Sequence, residues 1–81
     1  MIIISPHARK RMFERDISRD DVENTLSNGE ELYEDKEGKF GNLLEVGNKY
    51  LTVIWRYEGD VKEVITAYWR SKKMSRYKFI E

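Results

Sequence analysis

Residues 50–57 split by alternation into two rows of side chains. Leu51, Val53, Trp55 and Tyr57 form one row; Tyr50, Thr52, Ile54 and Arg56 form the other. Both rows are bulky and rich in β-branched and aromatic residues, which suit a pleated surface. A strand apolar on both faces belongs in the middle of a sheet with cover on each side, or keeps one face for a ligand. In a chain of 81 residues, everything else has to supply that cover. The length allows one domain, 1–81, with one shared core.

The flanking segments supply it. Gly47-Asn48 is a two-residue hairpin signal, preceded by the alternating stretch 40–46. Glu58-Gly59-Asp60 turns the chain again, and 61–70 returns as a strand. Residues 30–35 form a weak strand, ended by Lys36-Glu37-Gly38-Lys39. Upstream the period changes to that of helices. Ser5-Pro6 marks a helix start, with Ser as N-cap and Pro at the first position, and the helix runs from Pro6 to about Arg15. Ala8 and Met12 share its inner face, with Phe13 near the edge. Ser18 and Asp21 match a capping box, and Ile17 and Val22 match a hydrophobic staple. Val22 and Leu26 face inward in this second helix, which ends at Asn28-Gly29. With 1–4 as a short strand, the order is β-α-α-β-β-β-β. That segregation predicts an α+β fold, two amino-terminal helices packed on one face of an antiparallel sheet. The basic tail 71–81 is consistent with a helix or an added strand.

Composition narrows the chemistry. The absence of Cys removes disulfides, zinc–thiolate sites and thiol nucleophiles. A single His removes a multi-His metal cage. The apolar run 1–4 is too short for a signal-peptide core or a membrane span, so a soluble, cytoplasmic protein is expected. The 15 basic and 15 acidic residues give a formal net charge of zero, unevenly spread. Residues 1–15 and 69–81 are basic, whereas 16–38 hold nine acids against Arg19 and Lys36. Two basic ends that meet in the fold make a phosphate-binding surface; ends that stay apart are ordinary solvated faces.

The pattern His7-Ala8-x-x-Arg11-Met12-x-x-Arg15-x-Ile17-Ser18-x-x-Asp21-Val22 opens the chain, and Val64-Ile65-Thr66-Ala67-Tyr68-x-Arg70 closes the meander. Together they resemble a small family that looks like a branch of the RelE/ParE toxin superfamily, close to the BrnT toxins. The resemblance spans about residues 5–73. It implies a RelE-like fold and the toxin half of a type II toxin–antitoxin pair. It further implies RNA cleavage without metal or cofactor, and neutralisation by a cognate antitoxin.

Such cleavage needs a base and an acid for the 2′-hydroxyl attack, and cations for the charge gathering on phosphorus. His7 is the proton-transfer candidate; its structural alternative is to tie the helix start to the sheet. Arg11, one turn on, either faces the same site or pairs with a carboxylate. Arg56 either pairs with an acid such as Glu63 or addresses an anion. Tyr68 and Arg70 match the superfamily's placement of functional residues at the end of the last strands; cross-strand packing and solvation are their alternatives. Lys72, Lys73, Arg76 and Tyr77, with Lys78, interleave cations and an aromatic as an RNA contact or a solvated tail. Trp55 and Trp69 read as core or partner contacts. A second class of function stands beside the nuclease: a catalytically silent binding module on the same fold, holding a protein partner or nucleic acid.

Overall fold

The computed structural model describes residues 2–32 and 36–71. The elements are β1 (Ile2–Ile4), α1 (Pro6–Glu14), α2 (Arg19–Asn28), β2 (Glu30–Glu31), β3 (Phe40–Val46), β4 (Lys49–Glu58) and β5 (Val61–Arg70). This is the expected order, and the fold is α+β. The predicted weak strand over 30–35 is described only as Glu30–Glu31, after which Leu32 N–H donates to the Gly41 carbonyl. The tail from 72 onward lies outside the described residues. No helix among the described residues is long and apolar enough to cross a membrane.

The helix starts follow their side-chain chemistry. Ser5 Oγ accepts from Ala8 N–H at 3.1 Å, and Pro6 follows it. Ser18 Oγ accepts from Asp21 N–H, while Asp21 Oδ2 accepts from Ser18 N–H, both at 3.0 Å. The joint between the helices is a reversal in which Ile17 N–H donates back to the Met12 carbonyl at 2.9 Å. That geometry needs a left-handed residue, and Asp16 takes it with φ of 56°. Ile17 and Met12 bury together beneath the reversal.

The sheet order is β1-β5-β4-β3-β2. Hairpins join β3, β4 and β5, so those pairings are antiparallel, as is β2 with β3. The sheet as a whole is mixed, because β1 runs parallel to β5, with Ile4 opposite Val64. β1 reaches the meander through the helix pair, a connection that frees it from hairpin geometry. Between Ile54 and Trp55 the β4–β5 register shifts: Ile54 faces Thr66 but Trp55 faces Val64, leaving Ile65 as an extra residue.

β4 is the central strand and is apolar on both faces, as its two rows predict. α1 packs over β5, and α2 over β3 and β4. The core beneath them joins Ile4, Ala8, Met12, Ile17 and Val22 to Leu51, Val53, Trp55, Val64 and Ala67. Across the sheet, Leu32, Leu43 and Ile54 bury with Tyr50, Ile65 and Tyr68 packed against them. Both tryptophans serve the helix side. Trp55 donates to buried Asn42 Oδ1 at 2.7 Å and stacks on Phe40; Trp69 donates to the Arg15 carbonyl at 2.9 Å.

Candidate functional site

α1 begins where β1 stops. Ser5 N–H still donates to the Val64 carbonyl at 3.1 Å, and the chain then turns into the helix. This sets His7, exposed in the first helical turn, beside the stretch of β5 that carries Glu63 and Ile65. Arg56 enters from β4, directly opposite Glu63. Lys39 arrives from the turn that leads into β3. These four elements enclose a cleft of about 340 Å³, lined by Ser5, His7, Lys39, Arg56, Glu63 and Ile65. Its size is at the lower end of ordinary ligand sites.

The cleft gathers two basic side chains, one carboxylate and the chain's one His. Arg56 Nε lies 3.1 Å from Glu63 Oε1, and Lys39 Nζ lies 3.2 Å from Glu37 Oε1. With His7 neutral, the lining residues Lys39, Arg56 and Glu63 sum to one positive charge, and Glu37 pairs with Lys39 from outside the lining. The amino-terminal end of α1, where the helix dipole is positive, borders the same space. Such a lining suits one singly charged oxyanion, with a proton-transfer group beside it. Among the described residues, no three His, Cys, Asp or Glu side chains come together in a way that would hold a metal ion.

The five expected catalytic residues divide into three places. His7 and Arg56 meet at the cleft. Arg11 is not part of its lining; it is ion-paired with Glu14 on α1 at 3.1 Å. Tyr68 lies on the same sheet face as Arg56 but packs opposite Thr52 in the far-side cluster. Arg70 faces Tyr50 at the other end of β5. Arg56 is six steps along β4 from Tyr50, roughly 20 Å of strand. One phosphate therefore does not span all five. Lys72, Lys73, Arg76 and Tyr77 lie outside the described residues. Sequence reasoning passed over Lys39, because a Lys after a turn Gly looks solvated; only the β3–β4 pairing of Phe40 with Trp55 brings it level with Arg56.

Arg9, Arg15 and Arg19, from the helices and the joint between them, serve the backbone. Arg9 Nε donates to the Ile4 carbonyl at 3.3 Å, Arg15 Nη1 to the Ala67 carbonyl at 2.8 Å, and Arg19 Nη2 to the Ile2 carbonyl at 3.3 Å. A larger hollow of about 550 Å³ lies on the helix side among Ile2, Glu23, Leu26, Ser27, Tyr57, Asp60 and Lys62. Its one cation, Lys62, sits 4.5 Å over the Trp55 ring, so the hollow lacks the convergent charge of the His7 cleft.

Comparison with curated proteins and with solved structures gives no match. A family profile, described as "Domain of unknown function (DUF4258)", matches residues 4–69 and so takes in both helices, the meander and every residue of the cleft. The chain belongs to that family of domains, DUF4258.

Proposed function

We propose that the protein is a metal-independent endoribonuclease of the toxin type, acting in the cytoplasm and held in check by a cognate antitoxin. The observation that carries this reading is the meeting of His7, Arg56 and Lys39 in one cleft drawn from four elements. The similarity of the two end motifs to RelE/ParE toxins points the same way. In this reading a backbone phosphodiester lies in the cleft. His7 takes the proton of the ribose 2′-hydroxyl, and the 2′-oxygen forms a bond to phosphorus. Arg56 and Lys39 stabilise the added negative charge. The bond from phosphorus to the 5′-oxygen breaks, and Lys39 gives that oxygen a proton. The products are a 2′,3′-cyclic phosphate end and a 5′-hydroxyl end.

Incubating the pure protein with RNA in EDTA tests the proposal. Cleavage with cyclic phosphate ends is expected, and the His7→Ala/Arg56→Ala double variant should lose at least about a hundredfold in rate. Absence of cleavage, together with no growth arrest on expression, overturns it.

The distance of Tyr68 and Arg70 from the cleft favours a second reading, a catalytically silent RelE-fold module that binds RNA or a protein partner. In that case RNA is bound but returned intact, and the double variant behaves like the wild type in growth.

A further inference from the structure

Glu63 is out of place in an anion site. A carboxylate there repels the ligand that Arg56 and Lys39 attract, so its presence calls for a function. Its setting suggests one. Glu63 lies on β5 between two paired strands, opposite Arg56 of β4 on one side and Ile3 of β1 on the other. Its side chain is 22% exposed, against 51% for Arg56. The carboxylate is thus the anchored partner and the guanidinium the projecting one. Contact is made through Nε alone, at 3.1 Å, and no other hydrogen bond engages the Arg56 guanidinium among the described residues. A guanidinium gripped at Nε keeps its two Nη groups, the edge that matches a pair of phosphate oxygens.

We propose that Glu63 is a positioning residue for Arg56, gripping it by Nε so that the paired Nη groups face a phosphate in the cleft. The inference rests on the reading of that cleft as a phosphate site. It separates two effects that point in opposite directions. Glu63→Gln keeps an oxygen for Nε and removes the repelling charge. Glu63→Ala removes the charge and the grip together. If Glu63 acts only through its charge, the two variants bind phosphate equally, both more tightly than the wild type.

The test is a titration with inorganic phosphate, read by affinity and by the Arg56 Nε–H signal in ¹⁵N NMR. Glu63→Gln should bind several-fold more tightly than wild type and keep a sharp Nε–H signal. Glu63→Ala should bind about tenfold more weakly than Glu63→Gln, the loss expected for one charge-assisted hydrogen bond, and its Nε–H signal should broaden. In the wild type, phosphate should shift the Nη signals while the Nε–H signal persists. Equal affinities for the two variants, or loss of the wild-type Nε–H signal on adding phosphate, overturns the positioning role. Arg56→Ala separates this failure from that of the site. If its phosphate affinity matches the wild type, the phosphate site itself is refuted, and the positioning role with it. If it binds at least about tenfold more weakly while the two Glu63 variants bind alike, only the positioning role fails.

Discussion

Gly29 shows how a residue's identity can be right for a reason its sequence context does not give. It closes α2, yet its φ of −81° is open to any residue. What it supplies is space. A Cβ at this position would stand 2.5 Å from the Thr25 carbonyl oxygen and 2.7 Å from that of Leu43. Both are backbone atoms, so relief requires α2 to lift from β3. Gly29→Ala should therefore cost about 1–3 kcal/mol, seen as a lower urea midpoint at unchanged slope. An unchanged midpoint would show that α2 is not pressed against β3. Asp16 is the converse case. It takes the left-handed position that glycine usually fills, and nothing in residues 16–18 distinguished that reversal from a simple break between helices. Caps at Ser5 and Ser18 were legible because their partners lie three residues away. The end of α2 at Gly29 was legible too, but the space Gly29 supplies was not, because Leu43 lies on another element.

At the scale of elements, the outer edge of β1 is sealed by side chains. Ser5 N–H points to β5, so in the alternation of a parallel pair the Ile2 and Ile4 carbonyls point outward. Arg19 and Arg9 occupy them, and Arg15 occupies the Ala67 carbonyl where β5 runs on past β1. An open row of carbonyls invites pairing with another chain, and charged side chains blunt it. The Arg9→Ala/Arg19→Ala variant should aggregate more readily on heating, measured by light scattering, with melting temperature lowered by only a few degrees. A double variant as soluble as the wild type would assign the edge no such role. Neither the pairing of β1 with β5 nor the extra residue at Ile65 was legible, since both depend on contacts some sixty residues apart or on the fit of one strand to another. The meander itself was legible, because each turn is marked locally by Gly with Asn or Asp.

For the whole molecule, neutrality takes on a sharper meaning. The amino-terminal basic stretch looked like half of a phosphate surface, but two of its arginines, Arg9 and Arg15, are directed at carbonyls and Arg11 at Glu14. At the cleft the described cations are Lys39 and Arg56, each already beside a carboxylate. Binding of single-stranded RNA should then show a shallow salt dependence, a slope of about −1.4 in log K against log salt for two contacts. A slope steeper than about −4 would move the binding surface elsewhere on the chain. The extra residue at Ile65 bears on how such a surface can vary. It puts the two lengths of β5 out of step, so that Val64 and Ala67, three apart, both turn inward. Glu63 and Thr66 both turn away, opposite Arg56 and Ile54. A strand divided in this way has two separate phases. Its cleft end and its Tyr68–Arg70 end are therefore free to diverge in sequence, each without dragging the other's side chains to the wrong side of the sheet.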